Sequence, residues 1–140
     1  MPAARMTPTQ FGWAYVVALI AMGVLDTLWL GWLARDFYKS ELGTLMADSV
    51  RLAPAGLFYL LYPLGLVYFG LQAGPTSLFE AVLRCAAVGL LAYGTYDLSN
   101  LATLRGWSLK LCLVDMAWGL VASAIAGAVA YWVAVPGARG

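Results

Sequence analysis

The chain has no histidine, and charged residues make up only 11% of it. The first absence excludes histidine-ligated iron and zinc sites. The second excludes an ordinary soluble domain, in which about a quarter of the residues are charged. Neither sign of charge is in large excess. The formal net charge is +1, and no basic stripe is present to neutralise phosphates, so no nucleic-acid partner is expected. Cysteine is limited to Cys85 and Cys112. The span arrangement derived below puts them near opposite ends of the bundle. They therefore read as small apolar packing residues and not as a disulfide. A glycine-rich phosphate loop, Ser-x-x-Lys, His-Glu-x-x-His and Cys-x-x-Cys are also missing. The multi-aspartate signature of membrane phospho-alcohol transferases does not occur as a contiguous motif.

What the chain has is apolar surface: 63% of its 140 residues. A soluble fold this small hides only about two thirds of what it exposes when unfolded. A bilayer removes that constraint, and a helix crossing its ~30 Å core needs roughly 20 apolar residues. Four such runs occur, at about 12–34, 53–72, 78–104 and 107–135. They predict an all-α polytopic membrane protein: one domain over 1–140, built as a bundle of about four transmembrane helices. The first run is too long for the apolar part of a cleaved signal and contains an acid, so it reads as a retained span. Pro8, Pro54, Pro75 and Pro136 stand at or just outside run ends, where a helix can start or stop. Pro63 lies inside the second run and should kink it or free a carbonyl there.

Tryptophans mark both interfaces, Trp13 with Trp132 at one and Trp32 with Trp107 at the other. Trp29 and Trp118 fall inside these belts. Arg35, Lys39 and Arg51 lie in the first connection, and Arg105 and Lys110 in the short turn between spans three and four. Arg5, Arg84 and Arg139 belong to the other side. The balance puts both connections in the cytoplasm and both termini outside. Glu80 and Arg84, four apart on a helix, should pair weakly. In the first connection, Tyr38, Leu42, Leu45 and Met46 follow helical spacing. They read either as a short interfacial helix or as an ordinary connector broken by Gly43.

Three acids lie inside the apolar runs: Asp26, Asp97 and Asp115. Each costs about 2.5–3.5 kcal/mol at mid-span, whereas a leucine or valine returns only a few tenths. Their depths agree. Asp26 is nine residues before Arg35 and Asp97 is eight before Arg105, about 12–14 Å along a helix from the loop charges. Asp97 and Asp115 are each nine residues from Gly106, so an antiparallel hairpin brings them level. Tyr59 and Tyr62, early in the second span, reach the same layer. On the third helix Gly89, Tyr93, Asp97 and Asn100 share a face. On the fourth, Asp115, Gly119, Ser123 and Gly127 recur every four residues, a small-residue stripe that lets backbones approach. Asp-x-x-Trp occurs twice, as Asp26 with Trp29 and Asp115 with Trp118.

Carboxylates this close in low dielectric cannot all be ionised, and they titrate as a coupled set. No lysine or arginine lies at their depth. They hold protons, or a cation, or accept hydrogen bonds from Tyr59, Tyr62, Tyr93, Asn100 and the indoles. A divalent cation on Asp26, Asp97 and Asp115 is one option, and no other cofactor is evident. Interhelical hydrogen bonds average only about 0.6 kcal/mol, so structural glue alone repays three buried acids poorly.

Three segments together, LDTLWLGWLARDFYKSELG from residue 25, YGTYDLSNLATLRGWSLK from residue 93 and LVDMAWG from residue 113, resemble the bacterial membrane-protein family known as domain of unknown function 2177. The resemblance runs from the first span through the fourth. It implies a short inner-membrane protein with this span arrangement and adds no activity. The acids themselves fit proton- or ion-coupled transport of a small molecule, which would need a homo-oligomer because four spans rarely enclose a pathway. The alternatives are an enzyme modifying a membrane lipid, with the acids as metal ligands or as acid and base, and an accessory subunit whose Gly119, Ser123 and Gly127 stripe binds a partner helix.

Overall fold

The computed structural model describes residues 4–139; residues 1–3 and 140, the ends of the expected domain, lie outside the described residues. The first helix, α1 (Pro8–Leu28), starts where Thr7 and Gln10 form a capping box, at 3.1 and 2.9 Å. Pro8 sits in the first turn, where its missing N–H costs nothing. This start is four residues before the expected Gly12. After Leu28 the helix widens into one π turn, Trp29–Leu33, closed by Ala34 N–H to the Trp29 carbonyl at 2.7 Å. The chain then bends at Ala34 into a short helix, α2 (Arg35–Leu42), which Gly43 ends with φ +53°. Leu45 and Met46, expected on the same face as Tyr38 and Leu42, lie beyond that break.

Three long helices follow: α3 (Leu52–Gly70), α4 (Leu78–Thr103) and α5 (Leu109–Ala134). Ser77 and Ser108 cap α4 and α5 by accepting Glu80 N–H and Leu111 N–H, each at 3.0 Å. The Ser108 cap explains why α5 begins two residues after the expected Trp107. Among the described residues there is no strand. Four stretches are long and apolar enough to cross a membrane: Pro8–Leu33, Leu52–Gly70, Leu78–Thr103 and Leu109–Ala134. Their outer faces carry exposed Trp13, Ile20, Leu57, Phe69 and Leu91, an arrangement that water would penalise and lipid would not.

Glycine decides where helices touch most closely. A Cβ at Gly89 would meet the Gly119 carbonyl oxygen at 2.3 Å, and one at Gly127 would meet Cys85 Sγ at 2.3 Å. The α4–α5 hairpin therefore packs backbone to backbone. Around it Ala14, Ala18 and Met22 of α1, Leu66 and Val67 of α3, and Ala122 and Ala126 of α5 are fully buried. Cys85 and Cys112 are both buried and free.

The α3 helix is tied on through hydroxyl groups. Pro63 has no N–H, so the Tyr59 carbonyl loses its helical partner. Beside that break, Tyr15 O–H donates to the Leu60 carbonyl at 2.9 Å. The Tyr62 and Ser123 hydroxyls bond at 2.6 Å. Glu80 pairs with Arg84 at 2.5 Å. Trp107, in the turn between α4 and α5, is half-buried and turned edge-on to Tyr96, 5.5 Å away, in the cluster that α2 forms across this end of the bundle.

Candidate functional site

The end of the bundle that carries the α1–α3 connection and the α4–α5 turn holds the polar layer. Asp26, on the inner face of α1 and 5% exposed, accepts two hydrogen bonds. Tyr59 O–H of α3 donates to Oδ2 at 2.7 Å, and Trp118 Nε1–H of α5 donates to Oδ1 at 2.8 Å. Donors from two helices thus hold a carboxylate that none of the described lysines or arginines pairs with.

Asp115, on α5, accepts from a different source. Tyr38 O–H donates to its Oδ1 at 2.8 Å, and Trp29 Nε1–H donates to the Tyr38 oxygen at 3.2 Å. The rings of Trp29 and Trp118 stack, with centroids 4.5 Å apart and planes within 5°. The two Asp-x-x-Trp pairs are therefore crossed. Trp118, next to Asp115 in the chain, serves Asp26, and Trp29, next to Asp26, serves Asp115 through Tyr38. The π turn and the bend at Ala34 make this possible, because they swing α2 back over α5. Ser108 O–H then fixes α2 by donating to Glu41 at 2.7 Å. Burial, and then the neighbouring Asp115 carboxylate, push the Tyr38 phenol above the usual tyrosine range.

Asp97 is wholly buried on α4, and neither of its oxygens has a hydrogen-bond donor from a fixed N–H or O–H. The Trp107 indole N–H, on the turn that follows α4, is likewise buried without a hydrogen-bond partner among the described residues.

The three aspartates are therefore held differently: Asp26 by Tyr59 and Trp118, Asp115 by Tyr38, and Asp97 by no donor among the described residues. Among the described residues no three acidic or cysteine side chains come together to hold a metal ion. The three aspartates of the expected cation site are not brought together as a metal-holding group. Tyr62 and Tyr93 also need correction as donors to the acids. Tyr62 is engaged by Ser123, and Tyr93 packs edge-on to Tyr62 at 5.9 Å, over the space left at Gly119. Asn100 lies against the Tyr96 phenol. Gly119, Ser123 and Gly127 are buried against α4 and α3 within the same chain. Tyr38, Trp29, Trp118 and Trp107 are the site residues that spacing alone did not select. The repeated Asp-x-x-Trp was the one signal that pointed to the indoles.

Above Asp115 opens a cleft of about 990 Å³. Tyr38, Trp107 and Asp115 line its inner part, and Asp115 is 9% exposed. Exposed Arg35, Lys39 and Arg51, with Asp48, line its outer part. A smaller pocket of about 520 Å³ lies at the opposite end, lined in part by Arg5, Gln10, Thr76 and Tyr131. The fully buried Ala18, Met22, Leu66, Val67, Cys85 and Ala126 belong to the packed core between the two ends. A family model described as "Predicted membrane protein (DUF2177)" matches residues 11–132. No curated protein and no solved structure matches the chain.

Proposed function

The chain belongs to the DUF2177 family of predicted membrane proteins, and from that premise we propose that it is a membrane enzyme acting on the headgroup of a phospholipid. One observation carries the reading: the Asp115 carboxylate sits at the inner end of a cleft whose outer part is lined with cations. Arg35, Lys39 and Arg51 suit a phosphate. Asp115, a few residues deeper, suits a hydroxyl or ammonium arm on the same headgroup. Asp115 accepts a proton from that arm, and Tyr38 holds Asp115 in place. The excess of lysines and arginines in the loops supports reading this end as cytoplasmic, and the headgroup as one of the cytoplasmic leaflet. The packed core between the two pockets supports access from one side, which suits an enzyme better than a carrier.

The test compares lipid extracts of a deletion strain and its parent by mass spectrometry. One phospholipid class should change headgroup mass on deletion, and the mass difference identifies the group added or removed. The wild-type gene should restore it and the Asp115→Asn variant should not. Identical lipids, together with proton or cation flux in liposomes carrying the purified protein, would replace the enzyme reading with transport.

A further inference from the structure

A second groove runs down the membrane-facing side of the bundle between α3 and α4. It encloses about 540 Å³, and its walls include Leu57, Leu61, Gly65 and Phe69 of α3 and Val88 and Ala92 of α4. Its upper end is Pro54, which also lines the charged cleft, three residues after Arg51. The two spaces therefore share a wall at the membrane surface. From Pro54 to Phe69 the helix rises about 22 Å, more than half of a ~30 Å hydrocarbon core. The groove is thus deep enough to follow a chain through one leaflet. Gly65 helps to keep it open, since a Cβ there would meet nothing within 4 Å.

We infer that this groove holds one acyl chain of the same phospholipid whose headgroup enters the cleft. The inference rests on the lipid reading above. Cleft and groove differ as the two ends of a lipid differ: cations at the surface, then a continuous apolar channel below. A phosphate beside Arg51 places the first carbons of its acyl chain at Pro54. The protein would then select for the tail as well as the headgroup.

The experiment measures binding to the purified protein by native mass spectrometry. The probes are long-chain phosphatidylglycerol and its water-soluble headgroup, glycerophosphoglycerol, which has the phosphate and hydroxyl arm the cleft would recognise. Wild type should bind the lipid at least about tenfold more tightly than the headgroup. Gly65→Phe, which fills the groove, should erase that advantage and leave headgroup affinity unchanged. Ala92→Leu narrows the same groove and should act in the same direction if Gly65→Phe does not fold. Arg51→Ala should weaken both probes alike. A full tail advantage in both groove variants would overturn the acyl-chain inference while leaving the headgroup reading intact. Failure of both probes to bind wild type would overturn the headgroup reading, and this inference with it. A lipid-free dimer that Gly65→Phe dissociates would assign the groove to a second copy of the chain and overturn the inference alone.

Discussion

The two halves of the bundle use opposite means to hold helices together. Toward the termini, glycine brings α4 and α5 into backbone contact beside buried alanines of α1, and few hydrogen bonds, such as Tyr131 O–H to the Pro75 carbonyl, join the elements. Toward the loops, aspartates, tyrosines and tryptophans join the helices by a network of hydrogen bonds. At Gly89 and Gly127 the first half has no room for added volume. The second depends on its donors. A site that must admit a ligand can be built only in the second half, and the close packing of the first holds it in place.

The contrast is broken most directly by volume. Gly89→Leu drives a side chain into the Gly119 carbonyl, and the expected loss is about 3 kcal/mol or more, read as a collapse of the melting temperature in detergent. Gly31→Leu, where a Cβ meets nothing within 4 Å, should leave melting nearly unchanged; equal losses at both positions would erase the distinction. Next in size is Asp26→Ala, which strands the Tyr59 hydroxyl and the Trp118 indole N–H. It should cost about 2–3 kcal/mol, and the accompanying Tyr59→Phe change should recover part of it.

Tyr38→Phe removes one donor from Asp115 and one acceptor from Trp29. About 1.5 kcal/mol is expected, with a change in tryptophan fluorescence as the Trp29–Trp118 stack loosens. The pH response sharpens the same point. A phenol whose folded value lies above its unfolded value of about 10 contributes stability that is full below pH 10 and is lost only as pH rises through the folded value. Wild-type tryptophan emission should therefore hold steady up to pH 10 and change above it, and Tyr38→Phe should remove that step. The smallest effect belongs to Glu80→Gln. It breaks a partly exposed pair with Arg84 and should shift melting by no more than the scatter of repeated scans.

The four spans were legible because length and apolarity decide them with little help from tertiary structure. The α4–α5 hairpin could be counted from Gly106, since a tight turn leaves little freedom of register. Tyr59 could be placed by its depth early in the second span, and it donates to Asp26. Depth does not determine direction, however, and this explains the misreading of Tyr62 and Tyr93. Ser123 offered Tyr62 a nearer acceptor, and the missing side chain at Gly119 gave Tyr93 a place to pack. Tyr38 was hidden for another reason. Five residues of π turn shift the helical phase, and the bend at Ala34 reverses what the next turn faces. Neither is written in a hydrophobic period.

The crossed wiring of the two tryptophans also bears on alignment. A seam of alanines such as Ala14, Ala18, Ala122 and Ala126 is nearly featureless along its length, so two such rods could slip past each other at little cost. Because Trp118 of α5 grips Asp26 of α1 while the π turn that follows α1 grips α5 through Tyr38, an axial slide of even one residue, about 1.5 Å, pulls on both attachments at once. The aromatic crossing thus works as a vernier, setting the height at which α1 and α5 stop relative to each other.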